Sequence, residues 1–151
     1  MTSKAEQATK LFDDGFNCAQ VVMEVFAKEY GLDPVLARKL GNPLGIGSGM
    51  GGECGALTGG FMVLGLEFGM HDLNRPEDAQ ITFGLMQELA DGFKDCHGHT
   101  DCPDLLGLDV FTPQGMKAFG ERGMKQSHCA RYVAEVITRV EAIIARERKA
   151  G

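Results

Sequence analysis

Between Gly41 and Glu53 the chain places six glycines and one proline in thirteen residues, a composition that propagates neither helix nor strand. Any fold must cross a loop there. The loop leads directly into Cys54, beyond which Leu57, Phe61, Leu64 and Phe68 repeat at helical spacing, with Ala56, Gly60 and Val63 on another face. A glycine inside a helix costs about 1 kcal/mol relative to alanine, so Gly59, Gly60 and Gly65 are expected to meet close neighbours, and this helix is expected to be central.

The flanking segments read as helices as well. Ala8, Leu11, Gly15, Cys18, Val22 and Val25 recur at three- and four-residue steps, which predicts one helix over Lys4 to Tyr30 with Cys18 on its buried stripe. Gly31 stops it, and Asp33-Pro34 caps and starts a second helix. Asn74 to Asp78 carries proline and two acids suited to a helix start, and the apolar period then runs to about Cys96. Residues 96–102 form a polar loop, Cys102-Pro103-Asp104-Leu105-Leu106-Gly107 predicts a short helical turn, and glycines leave residues 112–127 only weakly helical. The final helix carries the unbroken stripe Cys129, Tyr132, Val133, Val136, Ile137, Val140, Ile143 and Ile144. With no alternating strand pattern and no fixed-period repeat, the fold class is all-α: one compact helical domain over residues 1–151, its redox-active part about 4–147.

The 151 residues and 44% hydrophobic content suit a single core. A charged N-terminus without an apolar h-region predicts a cytoplasmic protein. The longest uncharged apolar stretch, Cys54 to Leu66, is well short of the roughly 20 residues a membrane span requires. A net charge of −6 with scattered Lys and Arg argues against nucleic acid as a partner. Exposed-looking Met and Phe on small helices predict a homodimer.

Five cysteines in a reducing compartment do not suggest a disulfide framework, and their odd number leaves one over in any pairing. Cys54 and Cys129 open helices, and Cys102 sits where a loop enters a turn. Helix starts stabilise thiolate over thiol, and thiolate is the form that binds metal or attacks disulfides. The glycines before Cys54 let backbone approach a charged centre closely. They do not form a phosphate loop, since neither the GxxxxGK[ST] pattern nor a preceding strand is present.

The element Cys54-Gly55-Ala56-Leu57-Thr58-Gly59 resembles the CGAxxG element of the redox-active protein family C_GCAxxG_C_C. The other motif cysteines agree in order: Asn17-Cys18-Ala19-Gln20, Cys102-Pro103-Asp104-Leu105-Leu106-Gly107 and Cys129-Ala130-Arg131-Tyr132-Val133. The resemblance covers roughly residues 5–145. It implies a small, mostly helical redox protein whose Cys18, Cys54, Cys102 and Cys129 form one site, and a related domain fused to a multihaem cytochrome is associated with a [2Fe–2S] cluster. Cys96 departs from the pattern and stands as a substitute or partner for Cys102.

Three readings follow. In the first, the four cysteines hold an iron–sulfur cluster for electron transfer to an unidentified redox partner, [2Fe–2S] ranking first, although the local spacings match neither common ferredoxin run. Zinc ranks below iron because paired CxxC knuckles are absent. In the second, Cys54 is the attacking thiolate of a thiol–disulfide protein and Cys18, Cys102 or Cys129 resolves it. In the third, the chain is a non-enzymatic helical interaction domain with structural zinc or buried thiols. His97 and His99 read as exposed loop residues and His128 as a residue tuning the charge of Cys129. No feature names a substrate.

Overall fold

Ser3 and Glu6 exchange hydrogen bonds as a capping box and start the first helix, α1 (Lys4–Asp13). The computed structural model describes residues 2–151. It confirms the all-α class: eight α-helices and no strand among the described residues. No helix there is long and apolar enough to cross a membrane.

The single helix expected over Lys4 to Tyr30 is instead two. The chain turns at Gly15, where φ is +113°, and restarts at α2 (Cys18–Ala27) under a second capping box. Asn17 accepts from the Gln20 N–H at 3.0 Å and the Gln20 side chain accepts from the Asn17 N–H at 2.9 Å. The apolar period runs through the break because both pieces bury their stripes, so periodicity alone missed it. Cys18 consequently stands at a helix start and not mid-helix.

Asp33 caps α3 (Pro34–Gly41), with Pro34 at its first position as expected. After the glycine loop comes α4 (Gly55–Phe68), mostly apolar and largely buried, with Met62 and Leu66 on its exposed side. It packs against α2, α5 (Glu77–His97) and α8 (Ala130–Ala150). A methyl group at Gly59 would stand 3.1 Å from Ala19 Cα, and one at Gly60 2.8 Å from Val136 Cγ1, so these glycines let neighbouring helices close in. Gly65 does not: nothing lies within 4 Å of a methyl group there.

Gly98, in the left-handed region at φ +84°, ends α5, and α6 (Cys102–Leu106) follows as a short helix. The stretch expected to be weakly helical contains α7 (Pro113–Glu121), started by Thr112, whose hydroxyl accepts from the Gly115 N–H at 2.9 Å. A wider turn, Lys125–Cys129, winds into α8, and the Ala130 N–H reaches back to the Lys125 carbonyl. The stripe of α8 from Tyr132 to Ile144 is buried as predicted. It closes the core with Phe12, Phe26, Leu57, Leu64, Leu89 and Phe93.

Candidate functional site

The glycine loop is built from left-handed backbone. Ile46, Gly47, Ser48 and Gly49 have φ of 56°, 59°, 57° and 67°, and Gly51 adds a fifth positive value. Glycine takes this conformation freely, whereas isoleucine and serine take it at a cost of about 1–2 kcal/mol each. Such strain collects where a site holds the backbone in place. The Gly52 N–H closes the turn onto the Gly47 carbonyl at 2.9 Å.

From this turn the chain enters a two-residue antiparallel pairing of Glu53 with Asp101. The Cys54 N–H donates to the Thr100 carbonyl at 2.8 Å and the Cys102 N–H to the Gly52 carbonyl at 2.9 Å. Two cysteines distant in sequence are thus set side by side by backbone, each at the start of its helix: Cys54 before α4 and Cys102 in α6.

The other two are Cys18, at the start of α2, and Cys129, where the wide turn joins α8; a thiol interaction between them shifts their pKa values in opposite directions. Gly55 lets the start of α4 close on the glycine loop, since a methyl group on it would stand 3.1 Å from the Leu44 carbonyl oxygen and 3.4 Å from Cys18 Cβ.

All four cysteines line one cavity of about 190 Å³. Its remaining walls are chiefly apolar, including Phe12, Phe16, Leu105, Val110 and Phe119, with Tyr132 at the sulfur end and Lys125 as its charged group. The Tyr132 hydroxyl is tied to the Leu105 carbonyl at 3.1 Å. Lys125 donates to the Phe12 carbonyl at 2.7 Å and lies over the Phe12 ring. Sequence reasoning overlooked these wall residues, although the Asn17–Gln20 capping signature that aims Cys18 was there to read.

The electrostatics differ from thiol to thiol. The interaction with Cys129, followed by burial, pushes the Cys18 thiol well up. The same interaction holds Cys129 below the ordinary cysteine range, aided by the Lys125 charge. Burial pushes Cys54 up to about 12, although the facing Ala56 and Leu57 amides pull the other way. Burial also lifts Cys102 to about 11. The thiol whose pKa is lowered is therefore Cys129 and not Cys54, although the helix start alone points to Cys54 as well; at Cys54 desolvation outweighs the amides.

Cys96 lies outside the cavity on the exposed face of α5, where the Arg139 guanidinium donates to its sulfur at 3.2 Å. His99 is exposed as expected, but His97 is half-buried at the end of α5 between Phe93 and Tyr132, with ring centroids 4.6 and 4.9 Å away. Its Nε2 is enclosed without a partner, and burial lowers its pKa. His128 turns to Ser127, 2.8 Å from its hydroxyl, and Lys125 supplies the charge that acts on Cys129.

Among known protein families, residues 16–143 match the one described as "Putative redox-active protein (C_GCAxxG_C_C)". No curated protein and no solved structure gives a significant match.

Proposed function

Because the chain belongs to the C_GCAxxG_C_C family of redox-active proteins, we propose that it is an electron-transfer protein whose Cys18, Cys54, Cys102 and Cys129 hold an iron–sulfur cluster of the [2Fe–2S] type. The observation that carries this reading is the convergence of four cysteines from separate elements on one largely apolar cavity. The backbone pairing of Cys54 with Cys102 leaves Cys18 and Cys129 as a second pair on the same cavity, which suits a centre in which each of two irons would take two thiolates. Among the described residues no three His, Cys, Asp or Glu side chains are grouped closely enough to hold a metal ion, so the four sulfurs would have to draw together for a cluster or for a single zinc ion alike; zinc ranks below iron because paired CxxC knuckles are absent.

When bound, the cluster supplies a one-electron couple. The protein's part is to hold four sulfurs, offer the Ala56 and Leu57 amides to Cys54, and exclude water with its aromatic walls. The interaction with Cys129 raises Cys18, and burial raises Cys54 and Cys102; these four residues would have to give up their thiol protons to hold a cationic centre, whose charge would offset that cost. The setting we assign is a reducing cytoplasm. Exposed Leu73 (88%) and Phe83 (67%) support the homodimer proposal, which a monomer in sedimentation at micromolar concentration would remove.

Protein purified or reconstituted without oxygen is expected to be coloured, with about two irons and two labile sulfides per chain. Serine at Cys18, Cys54, Cys102 or Cys129 should abolish the colour, and Cys96→Ser should keep it. A colourless protein without iron after reconstitution refutes the proposal, and stoichiometric zinc in its place would favour a structural metal site.

A further inference from the structure

We infer that Lys125 is a positioning residue of the sulfur site: its ammonium is the counter-charge that lets an anionic four-thiolate centre sit among apolar walls, and it raises the reduction potential of that centre. This role rests on the cluster reading and adds to it a residue outside the motif cysteines.

The composition of the cavity wall singles Lys125 out. Apart from the four cysteines, the polar side chains lining the cavity are Asn17, Tyr132 and Lys125, and Lys125 is the charged one. Both neutral groups are engaged elsewhere. The Asn17 amide donates to the Asn42 carbonyl at 3.0 Å and accepts from the Gln20 N–H, and the Tyr132 hydroxyl donates to the Leu105 carbonyl at 3.1 Å. Lys125 has capacity left: of the three N–H groups of an ammonium, one is engaged by the Phe12 carbonyl at 2.7 Å. Among the described residues it pairs with no carboxylate. The Phe12 ring, whose centroid is 4.5 Å from Nζ, helps to hold the charge at the wall. Lys125 and Cys129 are also the first and last residues of the wide turn that leads into α8.

Four thiolates and two sulfides outweigh two ferric ions, so the loaded centre is anionic, and one electron from an external donor makes it more so. A charge among apolar walls is costly, and a fixed charge of opposite sign offsets that cost. The offset is larger for the more negative, reduced form, which is why Lys125 raises the potential. At an effective dielectric of about 20, a unit charge within about 12 Å of the centre shifts a one-electron equilibrium about tenfold or more. Lys125 and the four cysteines share the wall of one cavity of about 190 Å³.

The test uses full-length protein and its Lys125→Gln, Lys125→Met and Lys125→Arg variants, each reconstituted with ferrous iron and sulfide without oxygen, checked for helix content by circular dichroism, and titrated with dithionite against redox dyes. Glutamine keeps a donor for the Phe12 carbonyl and methionine keeps an apolar stem over the Phe12 ring, so either neutral variant serves if the other does not fold; arginine keeps the charge. The neutral variants should move at least tenfold toward the oxidised form, a potential lower by about 59 mV or more for a one-electron couple. Lys125→Arg should stay within about threefold of wild type, because the charge is retained. A folded neutral variant that takes up no iron while Lys125→Arg loads supports the same role at the loading step.

A neutral variant with the wild-type potential overturns the inference, because the charge then has no effect. A Lys125→Arg protein displaced as far as Lys125→Gln overturns it too, because loss of packing then accounts for the shift. Either result leaves the cluster reading standing on the loaded wild type, whereas a wild type that takes up no iron removes the cluster reading and the role of Lys125 together.

Discussion

Replacing Gly15 with alanine distinguishes by sign between a continuous first helix and the broken one that places Cys18 at a helix start. In a continuous helix the change would stabilise the protein by about 0.5–1 kcal/mol, because alanine is the better helix former. In the structure Gly15 has φ of +113° and nothing lies within 4 Å of an added methyl group, so the cost is backbone strain without steric clash. That strain is about 1–3 kcal/mol, offset by about 0.4–1 kcal/mol from the stiffer unfolded chain. The net expectation is a loss of about 1–2 kcal/mol. At this chain length each kcal/mol moves Tm by about 2–4 °C, giving a midpoint about 2–8 °C lower. Urea and thermal unfolding followed by circular dichroism, with wild type and variant in the same metal state under reductant, measure the difference. A Gly15→Ala protein as stable as wild type, or more stable, would refute the turn and the position of Cys18 that depends on it.

Two glycines of α4 should respond in opposite directions. Gly59→Ala is expected to cost about 1 kcal/mol net, because its methyl group would press on the Ala19 backbone at 3.1 Å, while Gly65→Ala, facing open space, should gain about 0.5–1 kcal/mol; chemical denaturation reads both. Tyr132→Phe removes the buried bond to the Leu105 carbonyl and should lower stability by about 1–2 kcal/mol, and an unchanged urea midpoint would argue against that bond. Glu67 accepts from Tyr30 at 2.7 Å and from Arg148 at 2.7 and 2.8 Å, and the Arg148 bonds chiefly lower its pKa. A depressed carboxylate contributes stability above its unfolded pKa and loses it as pH falls through the folded value. The gap between wild type and Glu67→Gln should therefore be widest near neutral pH and close below the ordinary glutamate range; a gap that stays constant with pH would contradict the ion pair.

The parts of the fold that were legible are those in which a local pattern has a single structural solution. The Asp33-Pro34 start of α3 and the stripe of α8 belong to this group, since a cap and a 3.6-residue period specify their own geometry. The four motif cysteines were legible as an ordered set through a family resemblance, and all four line the cavity. The break at Gly15 was not legible from period, because α1 and α2 face the same core and keep the stripe in phase across the turn. Nor was α7, whose glycines lowered the helical signal although Thr112-Pro113 supplies a cap and a first position. The polar neighbours of His97 in sequence point to an exposed loop, whereas Phe93 and Tyr132 enclose it in space.

Composition and period were sufficient for the helical class, for a loop ahead of Cys54, and for cysteines near helix starts, because backbone propensity and burial of one face act over a few residues at a time. Tertiary structure decided which cysteines come together. The backbone tie between Cys54 and Cys102 and the meeting of Cys18 and Cys129 on one cavity join residues 48 and 111 positions apart, and no local rule encodes proximity at that separation. It also decided in which direction each thiol is shifted. A helix start lowers a thiol's pKa and burial raises it; burial prevails at Cys54, while the Cys18 interaction and the Lys125 charge lower Cys129.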